Sequence, residues 1–285
     1  MEIFINGRNA DITLDSEKNL GDVLSGIEMW ISPSKSRIRA ISADGESLLN
    51  DALTESFGRE IRNIGKLEIT VSSWRELAAE ALEALYTECK IFMDTPFNER
   101  GQIRADWEKT SAARFLAQEI PDIYALAGYS MSGEGLSASD LTAIIEERLR
   151  EILNPTEEIF VCGPMVQDIA KRMEDFSLDI QTGKDQHAAE TLQRFAGIGE
   201  KLFRIFFILE LEGLSLDTFT IDSVTARVFI DEFNSALSEL SASFENKDTV
   251  LTGDIAEYEL SPRIIKFYNA LKDITESYFP VIQGS

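Results

Sequence analysis

Apolar residues recur three and four apart along three stretches in the C-terminal half of the chain. Residues 159–180 carry Ile159, Cys162, Val166, Ile169, Met173, Phe176 and Ile180. Residues 185–212 carry Ala188, Leu192, Phe195, Gly199, Leu202, Phe206 and Leu209. Residues 223–246 carry Ala226, Ile230, Phe233, Leu237, Leu240 and Phe244. That spacing puts each set on one face of a helix, and such faces are hidden only when helices pack together. A fourth set, Leu251, Ile255, Tyr258, Ile265, Tyr268, Leu271 and Tyr278, follows on a helix that Pro262 should bend. Short connections make neighbours antiparallel, so residues 154–285 are expected to form an up-down four-helix bundle.

The punctuation supports this division. Asn154-Pro155 opens the region. Gly163-Pro164 sits inside the first stripe, so that helix either starts there or kinks. Gly183 and Gly213 are expected helix stops, and Asp222 and Asp248 expected N-caps of the third and fourth helices.

Residues 1–72 follow another period. Ile3 and Ile5 alternate with polar neighbours and run into Asn6-Gly7, a hairpin signal; Ile12 and Leu14 alternate next. Leu20, Val23, Leu24, Ile27 and Ile31 share a helical face, with Trp30 beside it. Arg37–Ile41 reads as a strand ended by Asp44-Gly45. A short helical patch near 50–57 precedes a last strand over 66–71. Between 73 and 153 the chain reads as connecting helices. Ala78, Leu82, Leu85, Cys89 and Phe92 lie on one of about 20 residues. A polar loop is expected over 94–106, a helix over 107–119 and a short one from Pro121 to near Gly128. Residues 129–138 read as loop, and Ser137-Ala-Ser-Asp140 offers caps for a helix to Leu153.

Charge changes the functional picture. Lys plus Arg is 27 against 50 Asp plus Glu, a net charge of −23. Such a chain repels phosphate backbones and anionic lipid, so nucleic acid and membrane are excluded as partners. Its acids either solvate helix faces or attract a basic partner. The two cysteines, Cys89 and Cys162, form neither a disulfide framework nor a zinc site. With no leader pattern at the N-terminus and no run long enough to cross a bilayer, the reading is a soluble cytoplasmic protein.

Catalytic motifs fail on spacing. Gly128-Tyr129-Ser130-Met131-Ser132-Gly133 misplaces the second glycine of a nucleophile elbow and lacks the strand before the serine. His187 is the sole histidine and reads as an exposed residue at a helix start. A di-iron site needs Glu-x-x-His, but residue 184 is Lys. Glu210/Glu212 and Glu257/Glu259 are two apart and diverge on a helix, although carboxylate pairs between helices stay open. No metal and no cofactor are expected. One segment, Lys201-Leu-Phe-Arg-Ile-Phe-Phe-Ile-Leu-Glu-Leu211, is apolar almost all round. Phe203 and Phe207 lie off its main stripe. Either helices within 74–153 cover them, the favoured arrangement, or they form a dimer or partner face.

The order hairpin, helix, strand, short helix, strand over residues 1–72 resembles the β-grasp, or ubiquitin-like, fold. That fold also hosts sulfur carriers and ferredoxins. The first need a free Gly-Gly terminus and the second four cysteines, which this domain lacks, so neither function carries over. Asp248-Thr-Val-Leu-Thr-Gly-Asp254-Ile-Ala-Glu257-Tyr258-Glu259-Leu resembles a segment of uncharacterised bacterial helical proteins. Physically it is a capped helix start with a glycine that lets helices approach. The order of the C-terminal helices loosely resembles the flagellar export chaperones, which implies binding to the end of a secreted subunit. The chain is thus read as α+β: a β-grasp domain over 1–72, a connecting region over 73–153, and a bundle over 154–285. The function expected is a non-catalytic adaptor or assembly protein with a protein partner, homodimerisation being open. The alternatives are an export-chaperone-like binder and an enzyme using carboxylates from several helices.

Overall fold

Asn6 and Gly7 both take left-handed backbone, φ 49° and 76°, so the chain reverses within two residues. This pairs β1 (Glu2–Ile5) antiparallel with β2 (Arg8–Asn9). The structure is a computed structural model and describes residues 1–12, 14, 17–48 and 55–278. It is α+β, an N-terminal sheet followed by helices, and divides into two compact units, Met1–Leu149 and Arg150–Ser285.

In the first unit, α1 (Leu20–Ile31) follows the hairpin, then β3 (Arg37–Ala43), β4 (Glu46–Ser47) and β5 (Lys66–Ser72). The strand order is β2-β1-β5-β3-β4, with β1 and β5 parallel and the remaining pairs antiparallel, a β-grasp-like arrangement. Asn19 and Asp22 form a capping box that starts α1. Its buried face is Leu20, Val23, Leu24, Ile27 and Ile31, the five residues expected from spacing. They close over Ile3, Ile41, Leu67 and Ile69 from the sheet.

Two details differ from expectation. Ile12 and Leu14 are not in a strand. Ala10 donates its N–H to the Ile3 carbonyl, but Ile12 turns back to Ala10, so the chain leaves the sheet there. Asp44-Gly45 ends β3 as expected, but the sheet continues past it with a strand the spacing did not show. Both residues have positive φ, 54° and 85°, and they form the turn into β4. The expected helical patch near 50–57 falls mainly on residues 50–54, outside the described residues; Glu55 and Ser56 are helical.

The sheet is followed by α2 (Trp74–Asp94), α3 (Arg100–Trp107), α4 (Ser111–Glu119), α5 (Pro121–Ser132) and α6 (Ala138–Leu153). Ser73 and Glu76 cap α2, and its five expected apolar residues are buried. The polar loop expected over 94–106 is largely helix α3. Its entry is held by the Arg100 guanidinium, which donates to the Thr95 and Met93 carbonyls. Helix α5 runs past Gly128 to Ser132 and stops at Gly133, φ 78°. Ile123, Ala127 and Met131 are buried at spacing four. That burial outweighs the roughly 1 kcal/mol cost of one internal glycine.

The second unit holds α7 (Pro155–Glu174), α8 (Phe176–Gln181), α9 (Asp185–Leu211), α10 (Ala226–Glu245), α11 (Thr249–Asp254) and α12 (Ser261–Tyr278). Four of these helices, α7, α9, α10 and α12, are long and share one apolar core. The first two stripes lie in it as expected, from Ile159 to Phe176 and from Ala188 to Leu209. Helix α7 starts at Pro155, and Pro164 lies within it, leaving the Phe160 carbonyl without its helical donor. Gly183 and Gly213 end their helices with φ 74° and 111°.

The third and fourth stripes need correction. On α10 the buried face is Ala226, Phe229, Phe233, Ala236, Leu240 and Ser243, and Phe244 is exposed. The helix begins at Thr225, whose hydroxyl caps Val228; Asp222 does not cap it. Asp222 and Ser223 have φ 50° and 71° and turn a two-stranded hairpin, β6 (Thr220–Ile221) with β7 (Val224–Thr225). That small sheet lies outside residues 1–72, where all strands were expected. On the fourth stripe Leu251 and Tyr258 are exposed, and Ala256, Leu260, Ile264 and Phe267 are buried instead. The cause is a π-helix over Ile255–Leu260, where Ser261 donates back five residues to Ala256. Pro262 offers no N–H, and the turn before it widens rather than breaking. The side chain of Tyr278 lies outside the described residues. Asp248 caps Leu251 as expected.

Gly253 does permit a close approach. A Cβ there would meet the Ser177 Cβ at 2.6 Å and its Cα at 3.2 Å. Gly253→Ala is expected to cost about 1–3 kcal/mol of unfolding free energy, the usual range for overpacking. Ser177→Gly should restore part of it. Equal stability of Gly253→Ala and wild type in urea would contradict this packing.

Candidate functional site

A lysine on the buried face of an apolar helix must find a counter-charge, because an isolated buried ammonium is far too costly. Lys201 lies on that face of α9 and is 7% exposed. Its Nζ is 2.7 Å from Glu158 Oε2 on α7 and 4.0 Å from Glu151 Oε1 on α6. Arg204, one turn along α9, donates Nε and Nη2 to the two oxygens of Glu151, each at 2.8 Å. Arg150 Nε approaches Glu158 at 3.4 Å. Glu151 is 1% and Glu158 8% exposed at the side chain. Three cations thus hold two buried carboxylates. This is the inter-helix carboxylate pair that the sequence left open, but its oxygens face ammonium and guanidinium groups.

A second buried acid, Asp179 on α8, meets the sole histidine. His187 Nδ1 donates to Asp179 Oδ2, and Lys184 Nζ lies 3.2 Å from Oδ1. His187 is exposed at the start of α9, as expected, but it is tied to this carboxylate. Its hydrogen bond is the main reason the Asp179 carboxyl sits below its ordinary range; burial opposes that shift and Lys184 adds to it. A carboxyl lowered in the folded state stabilises the fold at neutral pH, and that contribution is lost as pH falls through the lowered value. Asp179→Asn should therefore destabilise the protein more at about pH 7 than at about pH 3. Urea unfolding at both values checks this, and equal losses would contradict it.

The remaining candidates do not converge on a reaction. Ser130 lies within α5 and is buried, not held on a strained turn. Among the described residues no group of three or more His, Cys, Asp or Glu is placed to hold a metal. Cys89 and Cys162 are buried free thiols, and burial pushes Cys89 up to about 12, with Glu88 adding. A thiolate-selective reagent should leave both unmodified in the native protein and react after unfolding, as counted by mass spectrometry. Native modification of Cys89 would contradict that environment.

Phe203 is half-buried, with its ring 5.5 Å from Phe233 on α10 and 4.8 Å from Phe267 on α12. It joins the ring cluster of its own unit, whereas the sequence reading looked for cover within 74–153. Phe207 is also half-buried.

The feature that sequence reasoning passed over lies in the first unit. Met29 and Trp30, at the end of α1, are 70% and 69% exposed. Trp30 borders a groove of about 510 Å³ between the β1–β2 hairpin, the segment after it, and α1. Ile5, Ala10, Ile12, Leu14, Val23 and Ile27 supply its apolar walls, and Asp11 and Glu17 its charge. The available signal was Trp30 itself, an indole beside the apolar face of a helix whose core positions were already filled.

Residues 1–73 match the domain family described as the TP0873 N-terminal domain. Residues 162–270 match a domain of unknown function, DUF8042. No curated protein and no solved structure matches the chain. Among the described residues no helix is long and apolar enough to cross a membrane.

Proposed function

We propose that this protein is a non-catalytic adaptor or assembly protein of the cytoplasm that binds another protein through its N-terminal domain. The observation that carries this reading is the exposed Trp30 and Met29 pair beside an apolar groove. A large aromatic at the rim of a concave apolar surface is the usual anchor of a protein interface, and a monomer gains nothing by exposing it. The buried ionisable groups favour the same reading, since Glu151, Glu158 and Asp179 are held by cations. A net charge of −23 disfavours nucleic acid and anionic lipid as partners. The second unit is a helical body with its own core, an antiparallel bundle in this reading.

The test is paired affinity capture from native lysate, with full-length wild type and full-length Trp30→Ala as baits. The expected result is a protein retained by wild type and depleted by the substitution. Identical retained sets would overturn the reading. The variant should unfold with nearly wild-type stability, because Trp30 is outside the core.

A further inference from the structure

We infer that the groove takes an extended segment of a partner protein, aliphatic at its centre and flanked by lysine or arginine, laid along the free edge of β2. This rests on the proposed protein-binding role and names the site and its ligand. Three observations carry it. First, Ile5 and Arg8 flank the two-residue turn, and Ala10 donates to the Ile3 carbonyl. In an antiparallel ladder the residue between two bonded positions turns its backbone groups the other way. Asn9 therefore presents its N–H and C=O outward, at the end of the sheet order where no strand lies among the described residues. An extended chain satisfies that pair, and a helix does not. Second, the groove beside this edge is walled by Ile5, Ile12, Leu14, Val23 and Ile27, with Trp30 at its rim, and its volume lies in the range of ligand-binding clefts. Third, the charged side chains that line it among the described residues, Asp11 and Glu17, are both acidic. In a chain of net charge −23, basic flanks are attracted and acidic flanks repelled.

The test uses the full-length protein and two synthetic fluorescent peptides with the same Val-Ile-Val-Ile centre, one flanked by lysines and one by glutamates. Polarisation titrations should show the lysine peptide binding, more weakly at high salt, and the glutamate peptide not binding. Asn9→Pro removes the outward N–H at a position where edge strands accept proline, and should weaken the lysine peptide by about tenfold or more. Asp11→Asn should weaken it less, and unchanged far-ultraviolet circular dichroism of both variants keeps the comparison valid. Equal binding of the two peptides, full binding to Asn9→Pro, or no binding of either would each overturn the inference. Loss of captured protein by Trp30→Ala together with no peptide binding would leave the protein-binding role standing and reject only the extended basic segment. Failure of both experiments would reject the role as well.

Discussion

Lys201→Met is expected to cost about 3 kcal/mol of unfolding free energy, an effect far larger than removal of a surface ion pair. The substitution keeps most of the side-chain volume, so the loss is electrostatic rather than a cavity. What remains among the described residues is Glu158, 8% exposed, with Arg150 at 3.4 Å on one oxygen, and Glu151, which keeps both donors of Arg204. Breaking a buried pair typically costs about 3–5 kcal/mol, and the surviving cations place this case at the low end. Glu158→Gln introduced into Lys201→Met should recover part of the loss, because the neutral amide removes the uncompensated charge. Denaturant unfolding of the single and double variants measures both. A loss under about 1 kcal/mol for Lys201→Met would mean that water reaches Glu158 and that the pair is not a buried one.

Phe206→Ala is expected to cost about 3–5 kcal/mol. Its ring is buried between Phe219 at 6.0 Å and Phe267 at 5.7 Å, in the core shared by the four long helices. Truncation removes the apolar contact and leaves a hole that neighbouring rings fill only in part. Phe244→Ala is the matched control. Phe244 is exposed on α10 and should change stability by no more than about 0.5 kcal/mol. A near-neutral Phe206→Ala, or equal losses for the two variants, would contradict the packing described here.

The two phenylalanines also show how far the sequence carried the fold. Where a helix keeps its regular period and a firm start, spacing alone found the buried face. The five buried residues of α1 and the stripe of α7 lie as expected. Where the starting point was wrong, the face rotated. Asp222 read as an N-cap, whereas it turns a hairpin and Thr225 caps α10, and Phe244 was placed in the core though it is exposed. Where the period itself changes, extrapolation failed. The π-helix before Pro262 carries Tyr258 outward, and no spacing rule for regular helices registers that turn.

The sites were less legible. Glu151 and Glu158 are separated from Lys201 and Arg204 by about forty to fifty positions, so only the tertiary fold brings them together. Lys201 standing on the Ile198, Leu202, Ile205 face was the one local clue that a buried partner was needed. The groove was invisible because its walls come from a strand, an irregular segment and a helix, each of which reads as ordinary core on its own. Only Trp30, apolar and surplus to the core of α1, marked it.

The proposed partner protein would sit on the β2 edge and in the groove beside it. Amide hydrogen exchange tests this placement most directly, with the full-length protein measured alone and then saturated with the protein that wild type retains. Exchange should slow on binding within residues 8–12 and along α1, with the second unit unchanged. Slowing confined to residues 150–278, with residues 8–12 and α1 exchanging as in the free protein, would contradict it.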